Sequence, residues 1–360
     1  TWVSSSTMLT VSEAHSQREW DAFLLRQPFT PFLQSWTMGE VHRNLGQEPV
    51  RLELREGGEL RGICQGVIVP AKRGRHLAVP YGPVTDHECR STSCGLFAGE
   101  LSRTAKAAGC AFIRWSPFLS AEAPRTDWPL PNARPSPLHL LAEHLWYLPL
   151  RETNRWKGEG TSGTPQTEED LLRRMRQTTR NLIRRAEKEG VEVRASEDPL
   201  RDLPHFLTLH AETRSRHRFT PYTDAFFNAQ VRCFAPRGEL TLTLARYRDE
   251  PVAASIHMHL GGETSYHHGA STLKYKNLPA SIALQWRAIR DALARGDAIY
   301  NFWGIAPPHA KRHPFSGVTL FKTGFGGELL ELVHCHDLPL SPSYALTRSF
   351  ELLRKWHRGF

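Results

Sequence analysis

The strongest constraint on this chain's fold is that one series of element signals occurs twice in it. In the first half, Ser16-Gln-Arg-Glu-Trp-Asp-Ala-Phe-Leu-Leu reads as a helix that stops before Pro28, and Trp36 to Leu45 reads as a second. Val50 to Arg55 alternates, Glu56-Gly-Gly-Glu59 turns, and Leu60 to Pro70 returns as the partner strand. A strand at His76 to Pro80, a helix around Cys94 to Ala108 and a strand at Ala111 to Trp115 follow. The second half repeats this order. Helices over 167–189, 199–216 and from Thr223 precede a hairpin (Leu240 to Tyr247, turn at Asp249-Glu250, Pro251 to Met258), a strand Glu263 to His268, a helix over 279–295 and a strand Ala298 to Trp303. Two domains of α+β (mixed α/β) class are expected, each an antiparallel meander with flanking helices. The polar stretch Gly158 to Pro165 serves as linker, so the expected domains run over 1–160 and 166–337, with the hydrophobic strand Leu145 to Leu150 closing the first.

The length agrees, since 360 residues exceed one ordinary core. With 46 Lys and Arg against 37 Asp and Glu the formal charge is +9, which suits anionic partners such as RNA, a nucleotide-sugar or a membrane surface. Only nine of these cations are Lys, and Arg favours bidentate phosphate contacts. The six cysteines are scattered, and Cys89-x4-Cys94 has no second pair at metal-ligand spacing, so reduced thiols in a cytoplasmic protein are expected. In His334-Cys335-His336, strand alternation sends the two histidines one way and the cysteine the other, and no metal site is expected there. No apolar run approaches the roughly 20 residues that span a bilayer.

Four blocks in the second half occur in order: Tyr266-His-His-Gly-Ala-Ser, Leu284-Gln-Trp286, Tyr300-Asn-Phe-Trp-Gly-Ile, and Phe321-Lys322-Thr-Gly-Phe-Gly-Gly-Glu. Together with Phe32-Leu-Gln34-Ser35-Trp36 they resemble the Fem family (FemA, FemB, FemX), aminoacyl-tRNA-dependent transferases that build the interpeptide bridge of peptidoglycan. The resemblance implies two tandem GNAT-like acyltransferase domains, with a final segment of about 338–360 packing back on the first. No heptad insertion lies in the second half, so the chain resembles members without the long coiled-coil arm. The GNAT fold commonly holds acyl-CoA on a glycine loop that opens a helix. Here the glycine cluster Gly324-Phe-Gly-Gly327 enters a strand instead, and G-x-x-x-x-G-K-[ST] is also missing. No cofactor is therefore expected, and the donor has to arrive activated, as an aminoacyl ester of tRNA does.

The resemblance also assigns residues. Lys322, flanked by Phe321 and Phe325 on what reads as a glycine-bounded strand-turn, falls where the family has its catalytic lysine. An ammonium in a dry site can stabilise the oxyanion of ester aminolysis. Arg216 and Tyr222 fall in the segment that holds the precursor's phosphates, with Arg214 and Arg218 close enough to leave the register open. Tyr266 matches a substrate-contacting tyrosine, with a core role as the alternative. Trp36, with Arg43 or, less suitably, neutral His42 in place of a family lysine, and Tyr81-Gly82 of a cleft-lining loop complete the expected substrate-binding set; Ser116 stands where relatives often carry an acid. On a single helix over 168–189, Arg173, Arg176, Arg180 and Arg184 share a face that suits tRNA phosphates or plain solvation.

The expected activity is transfer of an amino acid from aminoacyl-tRNA to the side-chain amine of the stem peptide of a UDP-linked or lipid-linked muropeptide. The expected state is a monomer in the cytoplasm, touching an anionic membrane through the helix Tyr344 to His357 or packing that helix on the first domain. Two alternatives stand beside it: an N-acyltransferase of exopolysaccharide synthesis on the same fold, and a non-enzymatic RNA-binding module.

Overall fold

The computed structural model describes residues 8–71, 74–86, 90–123, 132–160, 162–217, 222–310 and 313–358. They form two compact units, one of 1–143 with 331–360 and one of 144–330.

The first unit holds strands β1 (Leu9–Glu13), β2 (Pro49–Glu56), β3 (Glu59–Val69), β4 (His76–Pro80), β5 (Val84–Thr85), β6 (Phe112–Ser116) and β7 (Arg134–Pro135), with helices α1 (Gln17–Leu25), α2 (Trp36–Asn44) and α3 (Arg90–Ala107). Ser16 and Ser35 cap α1 and α2, accepting from the Glu19 and Met38 amides at 3.3 and 3.2 Å. Gly57 and Gly58, both at positive φ (56° and 92°), make the β2–β3 turn. The sheet is mixed rather than an antiparallel meander. β4 and β6 run parallel from His76↔Phe112 to Pro80↔Ser116, because α3 is a crossover that carries the chain back to its starting end. Leu52, Leu54, Leu77, Phe97, Leu101, Ile113 and Trp115 fill the core between sheet and α3.

The second unit holds β8 (His144–Pro149), β9 (Glu192–Ala195), β10 (Leu240–Tyr247), β11 (Glu250–Leu260), β12 (Glu263–Ser271), β13 (Ile299–Gly304) and β14 (Glu328–Glu331). Its helices are α4 (Glu168–Arg174), α5 (Gln177–Lys188), α6 (Pro199–His217), α7 (Asp224–Phe234), α8 (Ala280–Arg295) and α9 (Ser316–Thr323). The order is β14-β8-β13-β12-β11-β10-β9. Arg248 and Asp249, at φ 49° and 61°, close the β10–β11 hairpin in the left-handed geometry such turns need. α8 is the second crossover and makes β12 and β13 parallel.

The domain boundary expected near 160 needs correction at one strand. β8 belongs to the second sheet, antiparallel to β13 with Ile299↔Pro149 and Gly304↔Leu145 in register. Its counterpart β15 (His336–Pro339) lies in the first sheet, antiparallel to β6 from His336↔Trp115 to Pro339↔Phe112. Each crossover helix delivers a strand whose outer edge would bury unpaired amides and carbonyls. Each edge is closed by a strand from the other half of the sequence. The last helix, α10 (Tyr344–Arg358), belongs to the first unit: Tyr344 is buried against Ala111 and Phe112, whereas Leu346 and Trp356 are 77% and 82% exposed.

The single helix expected over 167–189 is two. Met175 is extended (ψ 153°) between α4 and α5, and its buried side chain joins Leu171 and Ile183 in the core. Arg176 then donates its amide to the Gly324 carbonyl at 3.0 Å, a tertiary bond that replaces the helical one.

Candidate active site

β12 and β13 pair only from Glu263↔Ile299 to Ser265↔Asn301 and then diverge, which opens a V in the sheet. Lys322 lies at this opening. It sits in the last turn of α9 rather than on a strand-turn, and Gly324 caps the helix. The correction has a local cause: Ser316 to Thr323 contains no proline, its one glycine before Gly324 is Gly317 in the first turn, and the Thr319 hydroxyl ties the helix to β13's exit by accepting from the Ala306 amide at 2.9 Å. Lys322 Nζ donates to the Gly304 carbonyl at the end of β13 (2.6 Å) and lies 5.7 Å from the centroid of the Tyr266 ring on β12. The lysine therefore touches both arms of the V. It is buried and has no carboxylate partner among these contacts, and desolvation pulls its pKa down from 10.5 to about 7. Phe321 packs edge-on to the fully buried Phe325, centroids 5.7 Å apart. It carries no proton or charge, so its part is to fix the helix end that aims Lys322.

Tyr266 is placed by a bulge. The β11–β12 register shifts between Ile256 and His257, leaving His267 as the extra residue, so that Tyr266 and Gly269 face the same side. The Tyr266 hydroxyl occupies the space a side chain at Gly269 would need. On that side runs a buried chain of hydrogen bonds. Ser255 Oγ is 3.3 Å from His257 Nδ1, His257 Nε2 is 2.9 Å from the Tyr300 hydroxyl, and Tyr300 donates to Gln285 Oε1 at 2.7 Å. Because the tyrosine's one proton goes to Gln285, His257 donates through Nε2 and accepts at Nδ1. Burial keeps the ring neutral, with its pKa well below 6.5. Tyr266 itself is pushed up to about 12 by burial and stays a phenol.

The other side of β12 faces α6 and α7. His268 packs edge-on to Phe227 (4.8 Å) and Tyr222 (5.2 Å), and Tyr222 stacks on Phe226 at 4.2 Å. Gln230 Nε2 is 3.4 Å from His267 Nδ1, and the His267 ring lies 5.3 Å from Trp303. Burial holds His267 down at about 3. Gln230 Oε1 and His268 Nε2 are buried without a hydrogen-bond partner, two polar atoms that a bound group can satisfy. Tyr222 is 43% exposed at this wall. Arg216 lies in the last turn of α6, but its side chain, like residue Arg218, falls outside the described residues. The sequence flagged His267, His268 and Trp303 only as parts of blocks. Nothing in it singled out Gln230.

The expected residues of the first unit are engaged in structure. Gln34 is fully buried and serves β3 and β4 where they separate: its amide donates to the Gln65 and Pro80 carbonyls (2.9 and 2.7 Å) and accepts from the Gln65 amide (2.8 Å). Trp36 lies under the Arg51 guanidinium at 3.8 Å. Arg43 is gripped by Glu40 (2.8 Å) and Glu48 (2.6 Å), which raise its pKa. Tyr81 is fully buried, with its hydroxyl on the Ala142 carbonyl (2.6 Å), and Gly82 packs against the Gln34 amide. Beside this loop a pocket is lined by Phe29, Pro31, Pro83, Pro117, Phe118 and Leu119, among others. Ser116 is buried at the end of β6.

The arginines expected to share one face do not share one helix. Arg173 pairs with Asp170. Arg176 reaches the Leu320 carbonyl (3.3 Å) and the Thr323 hydroxyl, and Arg180 caps α4 through the Leu172 and Met175 carbonyls (3.2 and 2.6 Å). Arg184 is exposed on α5.

Two mixed sheets, each with a helical crossover between parallel strands and one of them splayed around a buried lysine, define a tandem GNAT-fold protein. Residues 173–312 match the model of an acetyltransferase (GNAT) domain, and residues 15–128 match that of the FemAB family. The chain is thus similar to the Fem family over its first third. It is 29% identical over 106 residues to the aminoacyltransferase FemA of Staphylococcus epidermidis, an alignment that covers 29% of this chain and 25% of that relative. Against FemA of Staphylococcus aureus strain RF122 the identity is 20% over 91% of this chain and 95% of the relative. Among solved structures, FemX superposes with a TM-score of 0.77 at 16% identity, covering 94% of this chain and all of the other. A tandem GNAT protein of the clavulanic acid pathway gives 0.53 at 10% identity, covering 93% of this chain and 99% of the other. Among the described residues no helix is long and apolar enough to cross a membrane.

Proposed function

We propose that the protein is an aminoacyltransferase that moves an amino acid from its tRNA to the side-chain amine of a peptidoglycan precursor's stem peptide, carried on UDP or lipid. The observation that carries this reading is Lys322 buried at the opening of the V between β12 and β13, in contact with both strands. Aminolysis of an ester passes through a tetrahedral oxyanion, and a charge in a site that excludes water acts on it far more strongly than in bulk solvent. The protonated fraction of Lys322 performs this step, so its share of activity falls as pH rises through about 7. Tyr266 floors the site. Arg216, Tyr222, Gln230 and His268 take the precursor's diphosphate and sugar. The FemA relatives, aminoacyltransferases by name, support the donor class. Exposed Arg184 and Arg173 serve tRNA phosphates, and the apolar stretch of α10 beside Arg354 and Lys355 meets an anionic membrane.

The test is purified protein with a panel of charged tRNAs and UDP- and lipid-linked precursors, products resolved by mass. Transfer is expected from aminoacyl-tRNA without nucleoside triphosphate, and folded Lys322→Ala should lose about 100-fold or more in kcat with little change in substrate binding. Turnover with acyl-CoA as sole donor, or near-normal turnover by folded Lys322→Ala, overturns the reading.

A further inference from the structure

A second cluster of chemistry-bearing groups lies in the first unit. His139, Glu143 and His334 bring three ligand-type atoms within 4.8 Å of one another. His139 Nδ1 is 3.0 Å from Glu143 Oε1, and His334 Nδ1 is 2.9 Å from Glu143 Oε2. Glu143 is buried, and its Oε1 also accepts the Cys335 amide at 2.8 Å.

Proton bookkeeping at His334 singles this cluster out. Its Nε2 lies 2.9 Å from the Ser136 carbonyl, an oxygen that only accepts, so the ring proton is on Nε2. The Nδ1 lone pair of a neutral ring then points at a carboxylate oxygen 2.9 Å away, and two acceptors face each other. Either a second ring proton, which the Glu143 contact favours by raising the His334 pKa, or a metal cation in its place resolves the conflict. A backbone carbonyl that receives the second ring N–H is also the usual support of a metal-bound histidine. The spacing is close to what a metal needs: ligands about 2.0–2.1 Å from a tetrahedral metal are about 3.3 Å apart, and one ligand atom from each of the three residues already lies within 4.8 Å of the others, so rotation of the side chains brings them to that spacing. The Ser136 hydroxyl, buried without a hydrogen-bond partner, adds a polar atom beside the cluster.

We propose that His139, Glu143 and His334 form a binding site for a divalent metal of the zinc class, with water as the fourth ligand. The site is structural. It fastens the loop of 136–143 to the segment entering β15, where the Leu332 amide already meets the Glu143 carbonyl (2.7 Å) and the Ser136 amide meets the Cys335 carbonyl (2.8 Å). Alternation had set aside His334-Cys335-His336 as a ligand triplet; Cys335 is fully buried, whereas both flanking histidines are half-buried. The partner of His334 is instead a glutamate and a histidine from almost 200 residues earlier in the chain.

The experiment titrates the full-length, tag-free, metal-stripped protein with ZnCl2 by calorimetry and with CoCl2 by visible absorption, alongside His139→Gln and Glu143→Gln. One equivalent of zinc, a tetrahedral cobalt spectrum and a raised Tm are expected for the unaltered chain. His139→Gln replaces a side chain that is 55% exposed, so its metal-free Tm should be unchanged while zinc affinity drops tenfold or more. Zinc binding that is absent, or equal in the chain and in His139→Gln, overturns the proposal. So does a nitrogen-15 spectrum showing His334 protonated on both nitrogens at saturating zinc, which would make the cluster an imidazolium–carboxylate pair.

Discussion

Lys322 costs the protein stability, because a buried ammonium loses its hydration. Its folded pKa of about 7 lies below the ordinary 10.5, so between those values the unfolded chain binds the extra proton and stability rises with pH. Below about pH 7 the full cost is present. Lys322→Met, which keeps the length and removes the charge, should therefore stabilise the protein by about 2–4 kcal/mol at pH 6–7 after losing one hydrogen bond, and the gain should vanish towards pH 10. Urea unfolding across that range measures it; a pH-independent difference would mean that the ammonium is not desolvated. Gly269 makes a second residue-scale case. An alanine Cβ there would lie 1.7 Å from the Tyr266 hydroxyl, so the ring has to leave its place under Lys322. Gly269→Ala should cost more than tenfold in kcat, yet nothing further in a Tyr266→Ala background. Equal losses in both backgrounds would place the effect elsewhere.

Among elements, β15 and α10 are held to β6 by one buried ion cluster. Arg114 grips Asp337 through two bonds (2.8 and 2.9 Å) and Glu351 through Nη2 (2.6 Å), and Tyr344 donates to Asp337 at 3.0 Å. Asp337 is fully buried, so Arg114→Ala leaves its charge unpaired and should destabilise by about 3–5 kcal/mol. Arg114→Met with Asp337→Leu should recover most of that loss in equilibrium unfolding, whereas a cluster that contributed mainly attraction would not be recovered. Elements of this kind mark the limit of what the sequence shows. The β10–β11 hairpin, whose turn falls at Arg248-Asp249, one residue before the expected Asp249-Glu250, and the helices α6, α7 and α8 are legible because their turn residues and apolar periods are local. The break at Met175 is not, since Arg176 trades its helical bond for the distant Gly324 carbonyl. Lys322 was singled out by its block, but its helix was not legible, because the Gly324-Phe-Gly-Gly327 run suggested a turn around the residue rather than a cap after it. Gln230 and His268 depend on which face of β12 they meet, and the bulge at His267 decides that.

At the scale of the whole molecule, the reciprocal placement of β8 and β15 determines which pieces of chain can fold. The second unit is one continuous segment, 144–330, and it contains β8. A piece cut at the composition-based boundary, 166–337, lacks β8 and leaves the outer edge of β13 without Leu145, Tyr147 and Leu148, all nearly inaccessible in the structure. The first unit is discontinuous, and a fragment of 1–143 lacks β15 and α10. Its ends nevertheless meet, since the Leu332 amide donates to the Glu143 carbonyl at 2.7 Å, so a short Gly-Ser linker can join 143 to 331 without strain. Fragment 144–330 and the joined fragment should each unfold in one cooperative transition with native-like near-UV signals. Fragments 166–337 and 1–143 should be molten or insoluble, because an open edge of buried strand exposes both apolar surface and unpaired amides. Cooperative folding of 166–337 would show that β8 is dispensable and would move the boundary back to the linker at 158–165.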